Sequence, residues 1–171
     1  MSVVKYLIFL SVIIWLGIVV LMPKQALYYA LEERLSSEDI VLNEKGIEEG
    51  FFGLTLKDVS VYAKGIHVAT IQEIDLFTLL FYSSIEIKAL RMDDSLKTMV
   101  PQETNSASLK HFLYDPLLVS VEAIGTFGSV VGEINFNERN VHLDFNESKN
   151  IEMLRPQLEK GDKGWVYETS F

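Results

Sequence analysis

Apolar residues return at nearly every second position through GFFGLTLKDVSVYAKGIHVATIQEIDLF, Gly50 to Phe77. That is the period of a strand with one greasy face and one wet face. Leu54 and Leu56 share a face, and Val59 and Val61 continue after a phase shift near Asp58 that predicts a bulge. Lys64-Gly65 reads as a hairpin turn into a strand carrying Ile66, Val68, Ile71, Ile74 and Leu76. A third strand, SSIEIKALRM, sets Ile85, Ile87 and Ala89 against Glu86 and Lys88. The polar, turn-rich stretch from Met92 to Ser108 predicts an exposed loop. Strands resume over Leu118 to Thr126, Val130 to Asn137 and Val141 to Phe145, with turns at Phe127-Gly128 and Glu138-Arg139-Asn140. A short helix in NIEMLRPQLEKG and a last strand, GWVYETSF, close the chain, for about seven strands in all. The expected fold is mainly β: an N-terminal transmembrane helix, then a curved, mostly antiparallel sheet with one or two short helices.

The first residues follow another rule. From Tyr6 to Met22 seventeen residues pass without a charge, and a helix of that length spans about 26 Å, close to a bilayer core of about 30 Å. A cleaved leader would have a shorter apolar run and a small-x-small exit, whereas the exit here is MPKQALYYALEERL. The run therefore reads as an uncleaved anchor. Pro23 suits the first turn of a second helix, with Leu27, Ala30, Leu31 and Leu35 on one face as an amphipathic stalk. This divides the chain into an anchor (1–24), a stalk (25–36) and a β domain (37–171). The short N-terminal tail places the β domain on the exported side.

Composition narrows the partners. All 24 acidic residues lie beyond Lys24, together with 13 of the 15 basic ones, so the remainder carries a net charge of −11. Nucleic acid and anionic headgroups both call for clustered Lys and Arg, so no nucleic-acid partner is expected. There is no cysteine, which leaves hydrophobic burial to hold the fold.

Candidate chemistry is sparse. His67, His111 and His142 lie far apart without metal-ligand spacing. The adjacent carboxylates Asp93-Asp94 and Glu48-Glu49 point to opposite faces in extended chain, so neither is an acid/base dyad. GTFGSVVG, Gly125 to Gly132, lacks the Gly-Lys-Ser/Thr ending of a phosphate loop and reads as a hairpin turn and bulge. No catalytic residue, metal or cofactor is expected, and the chain reads as a non-enzyme. The aromatic residues Phe51, Phe52, Phe77, Phe81 and Tyr82 read most simply as core, with the alternative that Phe77 to Tyr82, within LFTLLFYSS, dip toward the bilayer surface.

The segment GFFGLTLKDVSVYAKGIHVATIQEIDLFTLLFYSSIEIKALRM resembles the N-terminal sheet of the AsmA/TamB-like superfamily. Within it, the single anchor, the meander GTFGSVVGEINFNERNVHLDF and the terminal GWVYETSF look most like the type II secretion system protein N (GspN) family, over roughly Gly50 to Phe171. The resemblance implies a single-pass protein of the bacterial inner membrane with a periplasmic β domain. Its implied function is an inner-membrane assembly component of a type II secretion-like apparatus, or alternatively an AsmA-like lipid-handling module. Partners would then be the membrane, other envelope or secretion subunits, or lipid. The residues themselves point to where such a partner would sit. Leu54, Leu56, Ile85, Ile87, Val119, Val121 and Ile134 form a candidate apolar groove on one sheet face. The stalk, the short helix around Met153 and Leu154, and a loop near Phe112 are expected to cover part of it.

Overall fold

The computed structural model describes residues 2–21, 23–79, 81–97, 99–146, 151–152, 154–161 and 164–171, without the side chains of 2, 19, 20 and 27. Two helices, α1 (Ser2–Leu21) and α2 (Lys24–Ser37), precede eleven strands. These are β1 (Ile40–Asn43), β2 (Gly46–Glu49), β3 (Gly53–Ala63), β4 (Ile66–Leu79), β5 (Tyr82–Met92), β6 (Glu103–Phe112), β7 (Asp115–Gly125), β8 (Gly128–Asn135), β9 (Asn140–Phe145), β10 (Glu159–Lys160) and β11 (Trp165–Ser170). They form one open antiparallel sheet in the order β1-β3-β4-β5-β6-β7-β8-β9-β11-β10, with β2 also on β3.

The mainly β, antiparallel expectation holds, and the sheet is larger than expected. The stretch read as a loop to Ser108 ends early, because 103–112 is β6, paired along its length with β5 and β7. Its side chains alternate Ser and Lys with Ala107 and Leu109, too weak a pattern to announce a strand. The backbone ladder does not need one. Consequently Phe112 ends a strand and is not a covering loop. The short helix expected near Met153 and Leu154 is, among the described residues, one 3-10 turn at Arg155–Gln157. Met153 lies outside the described residues.

The phase shift at Asp58 is real but is not a bulge. Lys57 faces Glu73 and Val59 faces Ile71, so no residue is inserted. Asp58 instead takes a left-handed conformation, φ 48°, as does Ala89 on β5, φ 51°. Asp58, Gln72 and Ala89 thus lie at one level across three strands, where the ladder skips. Beyond that level each strand has turned over. Leu56 and Val59 therefore share a face, and Leu90 replaces Ala89 on the apolar side. The inserted residue is Val68, between the pairs Val61–Ala69 and Tyr62–His67. Lys64 and Gly65 both have positive φ, 51° and 76°, between paired Ala63 and Ile66, the two-residue turn whose twist matches a hairpin.

Two clusters close the ends of the apolar face. At one, α2 lies over β1, β2 and β3, and Tyr28 joins Leu54, Leu56, Val59, Ile71 and Ile74 in a buried core. The Tyr28 hydroxyl donates to Glu44 at 2.8 Å, and burial followed by that carboxylate pushes the phenol pKa up. The packed face of α2 differs from the expected one: Ala30 and Leu31 are exposed, and Tyr28 and, less deeply, Lys24, Glu32 and Leu35 turn inward. A tyrosine buries more area than the alanine or leucine beside it and still finds a partner for its hydroxyl. The side chain of Leu27 lies outside the described residues. At the other end, Ile151 and Leu158 pack with Phe127, Val130 and Phe145, flanked by Leu154, Trp165 and Tyr167.

Apart from Lys5 and Ser11, the helix α1 is apolar on every side. Each side chain from Val3 to Ile14 is exposed, which is the all-round apolar character of a helix that lacks a packed face in the protein itself. Among the described residues no helix is long and apolar enough to cross a membrane.

Candidate functional site

Antiparallel partners point to the same side of a sheet, so the register assigns faces directly. Leu56, Ile74, Ile87, Ala107, Ala123, Val130, Phe145 and Trp165 make one continuous cross-strand row. Leu54, Leu76, Ile85, Leu109, Val121, Gly132, Leu143 and Tyr167 make the next. A third, shorter row includes Val119, Ile134 and Val141. All seven candidate groove residues therefore stand on one face.

They are not equally covered. Leu56 is 1% exposed and Leu54 is buried beneath α2, whereas Ile85 is 39% exposed. Ile87, Val119, Val121 and Ile134 are half-buried. Strands β5, β6 and β7 contribute no residue to the buried apolar core. Ile87 and Leu90 of β5 border the first cluster and Ala123 of β7 the second, while neither cluster takes in Ile85, Leu109 or Val121. Three strands about 4.8 Å apart and ten residues long at about 3.3 Å each present roughly 500 Å² of sheet surface. Patches of that size on a soluble chain mark binding sites.

The opposite face is charged and self-satisfied. Lys57, Glu73 and Lys88 face one another across β3, β4 and β5. Glu73 pairs with both lysines, and Lys88 also reaches Asp75 at 2.8 Å. The hydrogen bond from Lys57, then that from Lys88, lowers the Glu73 pKa, while Asp75 and Glu73 raise that of Lys88. Lys110 reaches Glu122 at 2.9 Å and Arg91 reaches Glu103 at 3.0 Å. The largest of the described cavities, about 420 Å³, opens on this polar side among Thr55, Asp75, Phe77, Ser84 and Glu86. Two smaller ones, of about 240 and 220 Å³, lie at β5, β6 and β7, the first lined by Glu86, Lys88, Ser106, Ser108 and Glu122 together with Ile87, Ala107 and Ala123 of the first apolar row, the second by Arg91, Glu103 and Asn105.

The histidines stay apart. His67 Nδ1 lies 3.1 Å from Asp93, His142 Nε2 3.4 Å from Asp144, and His111 Nε2 3.2 Å from the Pro116 carbonyl. Among the described residues no group of His, Asp and Glu is placed to hold a metal. In GTFGSVVG, Gly125 pairs with Gly128 across the two-residue tip Thr126-Phe127, and Gly128 has φ 96°. It is a hairpin tip.

Asp93 supplies a pH prediction. Its carboxylate accepts from the Ser95 backbone N–H at 2.9 Å and the Ser95 hydroxyl at 2.8 Å, with His67 beside it. These, in that order, bring its pKa down to about 2 from the ordinary 3.8. A folded value below the unfolded one stabilises above the unfolded pKa and is lost as pH falls through the folded one. Asp93→Asn is therefore expected to lower the melting temperature at pH 7, with the difference from the unsubstituted chain closing between about pH 4 and 2. A difference constant over that range contradicts this assignment.

The aromatic residues expected in the core are the clearest correction. Phe51 is 76% exposed and Phe81 63%, because both sit in turns between strands. Phe52, Phe77, Tyr82, Phe112 and Tyr114 form a series of ring contacts with centroids 5.0–6.5 Å apart. Phe77 and Tyr82 in this series alternate with the apolar rows and so face the polar side. The signal available in the sequence was their position beside turns. No family model, curated protein or solved structure matches the chain.

Proposed function

We propose that the chain is a non-enzymatic, membrane-anchored envelope protein, held in the bacterial inner membrane by α1 with its sheet in the periplasm. In this reading it serves as an assembly subunit of a type II secretion-like apparatus, and the open middle of its apolar face receives a partner subunit. One observation carries the reading: none of the buried core residues comes from β5, β6 or β7, in the centre of the sheet, and from there only Ile87, Leu90 and Ala123 pack against the core. Their roughly 500 Å² of surface approaches the area that one partner contributes to a standard protein interface, about 800 Å². From Tyr6 onward, Ser11 apart, the apolar surface of α1 suits lipid, which supports the anchor.

The shape of the face favours a protein over a lipid chain. Sites for small apolar ligands are concave, and the largest described cavity opens on the polar side. Strand addition at an edge fits less well than docking on the face. The outer strands β1, β2 and β10 have 4, 4 and 2 residues, and short edges discourage pairing.

Ile85→Glu and Val121→Glu test the proposal. A charge on an uncovered face is hydrated, so both variants are expected to keep the parent's melting temperature within about 2 °C, since surface changes stay within about 0.5 kcal/mol. On native gels of gently solubilised membranes both are expected to lose the discrete larger complex that the parent forms. A parent that migrates alone contradicts the proposal, as does a complex indifferent to both charges.

A further inference from the structure

The two ends of the sheet differ in chemistry, and the chain itself says which end is near the membrane. α1 ends at Leu21 and α2 begins at Lys24. Three residues reach at most about 11 Å, so the exit of α1 lies close to Lys24. The Lys24 ammonium is 4.0 Å from Glu49, and Glu49 pairs with Leu54 near the start of β3. This fixes one anchored end of the sheet, comprising the start of β3, the β4–β5, β6–β7 and β8–β9 turns, and the C-terminus.

Every exposed aromatic residue that the described sheet and its turns carry lies at that end: Phe51, Phe77, Phe81, Tyr114, Phe136 and Phe171. Hydrogen bonds join the tips in sequence across the sheet, Thr78 N–H to the Phe52 carbonyl, Leu113 to Phe81, Phe136 to Leu117, and Phe171 to Arg139. Phe136 and Phe171 also meet at 5.9 Å. The far end is built differently. Among the described residues its turns include Lys64-Gly65, the segment beginning at Asp93-Asp94-Ser95, which exposes Met99 but no aromatic residue, and Thr126-Phe127, whose one aromatic turns inward and is buried. Turns ordinarily carry Gly, Asn, Asp and Ser. Phenylalanine exposed at several neighbouring tips needs another reason.

We propose that this aromatic rim rests in the interface of the membrane that holds α1, so that the sheet stands on the bilayer by its anchored end. The inference rests on the proposed anchor and not on the proposed partner. Tyrosine favours the headgroup level, where one side is apolar and the other wet, and phenylalanine is among the residues that interfacial segments bury at the headgroup boundary. With a net charge of −11 beyond Lys24, the domain gains no general attraction to anionic lipid, which leaves apolar insertion of the tips as the contact. Seating the rim also fixes the orientation of the open face. The strands rise from the membrane, and the apolar middle is presented sideways to a neighbour.

The absence of cysteine allows a direct test on the full chain in phosphatidylcholine–phosphatidylglycerol liposomes. Single spin labels are placed through Phe81→Cys and Tyr114→Cys on the rim, Lys64→Cys at the far end and Ile13→Cys in α1. The expected result is oxygen accessibility exceeding that of a water-soluble nickel complex at 81, 114 and 13, with the reverse at 64. If 81 and 114 behave as 64 does while 13 is in lipid, the rim proposal is overturned and the anchor stands. If 13 is itself aqueous, the anchor fails and the rim proposal with it.

Discussion

Leu56→Ala is expected to destabilise the protein by about 2–5 kcal/mol, the cost of removing a leucine from a closed core. Ile87→Ala, in the same cross-strand row two strands away, is expected to cost less than about 1 kcal/mol. The side chains are similar in volume and the strands share one ladder, Leu56 to Ile74 to Ile87. What differs is the cover. Leu56 is 1% exposed beneath α2, with Tyr28, Val59 and Ile71 around it, so truncation leaves a cavity whose lining loses its contacts. Ile87 only borders that cluster and is half-buried, so its truncation opens onto solvent and leaves no closed cavity. Urea unfolding of the full chain in mild detergent measures both. Equal losses would mean that the middle of the sheet is covered after all.

The second large effect is expected at Gly132 of β8, which pairs with Leu143 of β9. A Cβ there would lie 2.0 Å from the His142 carbonyl oxygen and 2.7 Å from the Leu143 Cα. Both are backbone atoms in a paired strand, so no rotamer change relieves the overlap. Gly132→Ala must part the strands or tilt β9, loosening Val130 and Phe145, which anchor the second core. Overpacking typically costs 1–3 kcal/mol, and because the obstacle is backbone the expected loss is about 3 kcal/mol. By contrast Gly46→Ala, whose nearest neighbour would be the Lys57 Cβ at 3.8 Å, is expected to shift stability by less than about 1 kcal/mol. An unchanged urea midpoint for Gly132→Ala would show that the two strands do not approach as described.

The parts of this fold that are legible in the sequence are those where alternation is strong and one face is apolar. β3, β4 and β5 stand out for that reason, and their facing places Leu54, Leu56, Ile85 and Ile87 together without any structure. β6 is invisible because Ser106, Ser108 and Lys110 on one face meet only Ala107 and Leu109 on the other. Its identity as a strand comes from the neighbours that bracket it. The left-handed residues Asp58 and Ala89 show in the sequence only as a change of phase, which an inserted residue would mimic. The exposed aromatics mislead because composition says core while position says turn tip, and only the register reveals that Phe77 and Tyr82 point away from the apolar rows. The degree of cover over each candidate residue is a tertiary property. Whether Leu56 or Ile87 lies under α2 depends on where a helix more than twenty residues away comes to rest.

The central claim is that the middle of the apolar face is open in the chain alone and filled by a partner subunit in the cell. Photo-crosslinking amino acids at Ile87 and Val121 of the full chain, irradiated in living cells, test it most directly, with Leu56 as a buried control. The account predicts discrete protein adducts from 87 and 121 that are absent from Leu56. Lipid adducts at both positions, or crosslinks confined to the chain itself, would contradict it.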